Sequence, residues 1–104
     1  MADPKHDERR SSGRVPFDKE VEVVGVGVHR SSDISIGGMY LITKQGFPTG
    51  NSITLRFKLR DSDARPIQAR ARVLYTHKGV GVGLGFIDLN SEDLASIVKF
   101  TEQA

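Results

Sequence analysis

Two short runs hold the residues best suited to chemistry. Arg10-Ser11-Ser12-Gly13-Arg14, preceded by Arg9, spaces two guanidiniums four residues apart near the start of the chain. Asp33-Ile34-Ser35-Ile36-Gly37-Gly38 gathers a carboxylate, a hydroxyl and two glycines. A guanidinium presents a planar fork of donors that matches a phosphate or the O6 and N7 edge of guanine. A carboxylate accepts from the N1–H and N2–H₂ groups of the same base, a hydroxyl bonds to base or phosphate, and glycine lets a flat ring approach the backbone. Each run also has an ordinary reading. The first is then a solvated basic tail. The second is a turn in which Asp33 and Ser35 satisfy local backbone groups.

Catalytic patterns are missing. His6, His29 and His77 share no metal-ligand spacing and read as surface or loop residues. No local motif sets a histidine beside Asp33 or Ser35. Gly81-Val82-Gly83-Leu84-Gly85 is not a dinucleotide fingerprint, because Phe86 stands where a third spaced glycine would be needed. The chain has 0 cysteines, which excludes a disulfide scaffold and a thiolate metal site. The expectation is a binding protein, not an enzyme, with no cofactor and no metal.

The elements that must carry the two runs are mostly strands. Residues 1–14 are polar and predict a flexible arm, with order beginning at Val15-Pro16-Phe17. Val21, Val23, Val24, Val26 and Val28 predict one strand with a bulge at Val23-Val24, followed by a loop at Ser31-Ser32. Met39 to Thr43 predicts a strand and Gly46 to Ser52 a turn. Ile53, Leu55, Phe57 and Leu59 alternate with Thr54, Arg56, Lys58 and Arg60, a half-buried strand. Ile67 to Thr76 is the next strand, and His77-Lys78-Gly79 the turn after it. Val80, Val82, Leu84 and Phe86 then alternate with glycines, so that one face is nearly bare and something packs close to its backbone. Asn90 or Ser91 caps a short helix whose apolar face holds Leu94, Ile97, Val98 and Thr101. A small sheet with open edges is a liability, so five or six strands predict closure into a β-barrel.

At 104 residues the chain is long enough for one domain. A net charge of +2 is a milder basic balance than nucleic-acid modules show. Arg56, Lys58 and Arg60 recur with period two and predict a basic strand face, which supports an RNA or single-stranded DNA binder as one alternative. Against it, exposed stacking aromatics are few, with Tyr40, Tyr75 and Phe47 the candidates. No apolar run approaches the ~20 residues that cross a bilayer, and no signal-peptide core precedes the barrel, so no membrane insertion and a cytoplasmic location are expected.

Taken together, R-x-x-x-R, a gap, and D-x-S-x-x-G entering a small barrel resemble the PilZ family. Glu8-Arg9-Arg10 with Val15-Pro16 is similar to that family's entry into its first strand, and Gly83-Leu84-Gly85-Phe86-Ile87-Asp88-Leu89 to its closing segment. The resemblance spans Glu8 to Phe100. It implies an all-β, six-stranded barrel over residues 15–104, with the arm 1–14 and a C-terminal helix.

It also implies a bacterial receptor for cyclic di-GMP. Arg10 and Arg14 would contact guanine edges and phosphates, Asp33 and Ser35 would hold another guanine, and Gly37 and Gly38 would allow close packing. Arg9, at the position thought to govern stoichiometry in the family, implies two messenger molecules per domain. The implied mechanism is an ordering of the arm over the ligand, signalled to an unidentified protein partner in motility or biofilm control. A homodimer through a barrel face is left open. The other alternative is a barrel of this kind that serves as a protein-interaction module without ligand.

Overall fold

The computed structural model describes residues 13–103. Arg9 and Arg10 therefore lie outside the described residues. β1 (Val15–Pro16), β2 (Glu20–Val23), β3 (Gly27–Ser35), β4 (Gly38–Ile42), β5 (Ser52–Phe57), β6 (Ile67–His77) and β7 (Gly81–Asp88) are followed by α1 (Ser91–Gln103). All pairings are antiparallel. The order β3-β2-β5-β6-β7-β4 returns to β3 through the β3–β4 pairing, so six strands close a barrel. The two-residue β1 lies outside that ring, alongside Asp33 and Ile34 of β3.

Alternation fills the interior. Ile67, Ala69, Ala71 and Val73 of β6 point inward, as do Val82 and Leu84 of β7 and Met39 and Leu41 of β4. Leu55 and Phe57 of β5, Val21 and Val23 of β2 and Ile34 of β3 complete the interior.

Three expectations about the strands are corrected. The valine run is a hairpin, not one bulged strand. Val26 N–H donates to the Val23 carbonyl at 2.9 Å, and Gly25 takes a φ of 84°, which the absence of a Cβ permits. Ser31-Ser32 is not a loop but lies within β3, where the ladder shifts register between Ser31 and Asp33. Ser31 is buried without penalty because its hydroxyl donates to the Phe17 carbonyl at 2.6 Å and accepts from Lys19 N–H at 3.3 Å. The basic face at Arg56, Lys58 and Arg60 is not continuous, because β5 ends at Phe57. Arg56 bonds Glu22 and Gln68, whereas Arg60 reaches Gln103 and lies over the Phe100 ring at 5.1 Å.

The helix is capped by Asn90, whose Oδ1 accepts from Asp93 N–H at 2.8 Å. Its buried face differs from the expected one. Asp93 and Ile97 are buried, Phe100 packs edge-on against Phe17 at 5.6 Å between ring centroids, and Leu94 faces solvent. The barrel end is reached through Ile97 and Phe100, and Leu94 lies about 100° around the helix from Asp93. Replacing Asn90 with alanine is expected to lower stability by about 1 kcal/mol, read as a lower urea midpoint at unchanged slope.

Candidate functional site

The register of β3 sets the site. Asp33 pairs with Pro16 of β1 on one side and Tyr40 of β4 on the other. Arg14, just before β1, is thereby carried to Asp33. Its Nη1 lies 2.5 Å from Asp33 Oδ1, joining the two sequence runs across 19 positions. Asp33 Oδ2 accepts from the Ser32 hydroxyl at 3.1 Å. Both side chains of the Arg14–Asp33 pair remain partly exposed, at 42% and 31%. Such a pair contributes only ~0–1 kcal/mol to stability.

Ser35 ends β3 and is buried. Its Oγ accepts from Gly37 N–H at 3.2 Å, the local turn hydrogen bond that serine and aspartate favour. The next turn residues are tied to β7, since Phe86 N–H donates to the Gly37 carbonyl at 2.8 Å. Gly38 pairs with Ser35 on one side and Gly85 on the other. A Cβ on Gly38 would overlap the Leu84 carbonyl oxygen and lie 2.8 Å from its carbonyl carbon. Barrel closure alone therefore requires glycine there. Gly37 is different: a Cβ would meet only Ser35 Oγ, at 3.9 Å.

Arg30, two residues before Ser32, pairs with Asp18 through Nε at 2.6 Å. Phe47 is buried, edge-on to His29 at 5.7 Å, and so is no stacking surface.

The bare face of β7 is covered by the chain's own rings. On the outside of the barrel Tyr40 of β4, Gly83 of β7 and Tyr75 of β6 are cross-strand neighbours, and Ile42, Gly81 and His77 form the next row. A Cβ on Gly81 would lie 2.7 Å from the Tyr40 hydroxyl, and one on Gly83 would lie 2.7 Å from the Tyr75 hydroxyl. Tyr40 Oη and His77 Nδ1 are hydrogen-bonded at 2.9 Å. Burial, then the neighbouring Tyr75 and the carboxylate of Asp33, push the Tyr40 hydroxyl above the usual tyrosine range. It is therefore protonated at neutral pH. Strand alternation exposed these tyrosines, but only the register could reveal that they converge beside Asp33.

Among the described residues no group of three or more His, Asp or Glu side chains is arranged to hold a metal ion, and no helix is long and apolar enough to cross a membrane.

By sequence, the PilZ domain family matches residues 8–103. No curated protein matches the chain. Among solved structures, the Bacillus subtilis inhibitor of motility MotI/DgrA superposes with a TM-score of 0.78 at 20% identity, over 91% of this chain and 50% of that one. The chain thus spans about half the length of that relative. The PilZ domain of CeSA from a cellulose-synthesizing bacterium gives a TM-score of 0.59 at 20% identity, over 88% of this chain and 97% of that one. An uncharacterized Legionella protein gives 0.59 at 11% identity, over 86% and 90%. At these identities the likeness is one of fold.

Proposed function

The chain belongs to the PilZ domain family, whose members are cyclic di-GMP receptors and act as binding or adaptor modules, and from that premise we propose that it binds cyclic di-GMP through Arg10, Arg14, Asp33 and Ser35. The observation that carries the reading is the Arg14–Asp33 pair. It sets a planar donor fork and a carboxylate side by side on an accessible face, 2.5 Å apart. Guanine needs both: acceptors for N1–H and N2–H₂, and donors for O6 and N7. The Ser35 hydroxyl, at the mouth of the β3–β4 turn, adds a donor for base or phosphate, with Gly37 leaving room beside it. Arg9 and Arg10 act from residues 1–14, which close over the ligand as it binds. Arg9 supports a second, stacked messenger molecule, because a third guanidinium suits the added base faces and phosphates.

The signal passes to a protein partner through the surface that this closure changes. Motility or biofilm control is the proposed setting and the bacterial cytoplasm the proposed location, the first prompted by the likeness to an inhibitor of motility. Binding of RNA or single-stranded DNA has less support, since Arg56 and Arg60 of the expected basic face are engaged by Glu22, Gln68 and Gln103.

Calorimetric titration of the purified chain with cyclic di-GMP tests the reading. Saturable binding with two ligands per chain is expected, unaffected by excess single-stranded RNA. A ratio of one removes the role given to Arg9. A folded chain that releases no heat and gives no other sign of binding removes the receptor reading. Hydrogen exchange over residues 5–14 should slow at saturating ligand, and unchanged exchange would remove the closure.

A further inference from the structure

The aromatic cluster beside the paired motifs is more than a cover for glycine. Tyr40, Tyr75 and His77 stand on neighbouring outer rows of β4 and β6, with the side-chain-free backbone of β7 between them. Their ring centroids are 6.4 Å apart for Tyr40–Tyr75, 5.7 Å for Tyr40–His77 and 5.1 Å for Tyr75–His77. The rings lean over Gly81 and Gly83 and do not stand upright from the sheet. Tyr75 nevertheless keeps 41% of its surface in solvent. The hydrogen bond between Tyr40 and His77 fixes the ring nearest Asp33. Tyr40 is the direct cross-strand neighbour of Asp33, with the two backbones one strand spacing, about 5 Å, apart.

We propose that the Tyr40–Tyr75 pair, held by His77, is a stacking platform for a purine of the bound cyclic dinucleotide. The inference rests on the receptor reading and extends its site from the β1–β3 edge across β4 to β6. Two features of the chemistry favour it. A base gripped at its edge by Asp33 and Arg14 gains from a π surface that the edge contacts do not supply. The platform also carries no fixed charge, so it accepts a purine face without competing for the phosphates. Shielding of the β7 backbone by the rings is a separate structural role that aliphatic side chains could also fill.

Tyr40 and Tyr75 are the only 2 tyrosines in the chain, which makes a direct test possible without mutation. With ¹³C-labelled tyrosine in the full chain, cyclic di-GMP at saturation is expected to move the ring signals of Tyr75 or Tyr40 upfield, as a stacked purine does. Binding that saturates by calorimetry while both ring signals stay in place overturns the platform and leaves the receptor reading intact. No calorimetric binding at all overturns the receptor reading instead. A Tyr75→Leu variant, confirmed as folded by its thermal transition, should bind about tenfold more weakly. Tyr75→Phe should bind as wild type. Equal affinity for Tyr75→Leu and wild type would also overturn the platform, with shielding then its whole role.

Discussion

A Gly38→Ala variant is expected to lose at least about 3 kcal/mol of stability, whereas Gly37→Ala, one residue earlier, should fall between neutral and about 1 kcal/mol more stable. The two glycines stand together in one motif but in opposite surroundings. The atoms that an added methyl would meet at Gly38 are the carbonyl group of Leu84 and, at 3.0 Å, the Cα of Gly85. All are backbone, so no rotamer change relieves the clash. Either β4 or β7 must move. β4 is paired on both sides, with β3 and β7, and is the strand through which the barrel closes. A shift there strains both ladders. At Gly37 the only neighbour is a serine hydroxyl in ordinary contact, and the residue is not among the glycines of positive φ. Alanine there loses little in the folded state and restricts the unfolded chain. Urea denaturation of both variants reads the difference, which is large against the ~5–15 kcal/mol of a whole domain. A Gly38→Ala protein as stable as wild type would mean that the closing contact is far looser than its geometry.

The same residues show what a sequence can and cannot disclose. Period-two alternation at Ile53–Leu59 and Ile67–Val73 is a local property, and strands form over both, although the first ends at Phe57, short of the pattern's end. The glycines of β7 announced a close approach, because a strand without side chains leaves space that must be filled. What fills it is decided by register, a long-range property: Tyr40 and Tyr75, more than thirty residues apart in the chain, arrive from different strands. The valines at 21–28 misled for a related reason. Val24, Val26 and Val28 are exposed, yet they repeat with the period of buried residues, so the pattern hid a hairpin. Ser31 was unreadable because the groups that satisfy it belong to Phe17 and Lys19, in the preceding segment. Leu94 shows that an apolar helical residue need not face the core when its neighbours Asp93 and Ile97 already fill the contact.

Single Arg14→Ala and Asp33→Ala variants are each expected to weaken cyclic di-GMP binding by about 5- to 150-fold, the range that corresponds to 1–3 kcal/mol for a bidentate base contact. Neither should cost more than about 1 kcal/mol of stability, since the pair is a partly exposed one. Affinity and stability thus separate in these variants, opposite to Gly38→Ala. The double variant carries the finer information. Asp33 uses one oxygen for Arg14 and the other for Ser32, and a carboxylate offers about four acceptor positions. Two remain for N1–H and N2–H₂ of guanine without releasing Arg14. The pair should therefore persist in the complex, each member fixing the other against the base. Loss of either then disables part of the other's contribution, and the double variant should lose less affinity than the two single losses combined. If the ligand instead displaced Arg14 from Asp33, wild type alone would bear the cost of breaking the pair, and the double loss would exceed the sum. Calorimetric titration of the four proteins at one salt concentration decides between a clamp already assembled before the ligand arrives and a latch that the ligand must open.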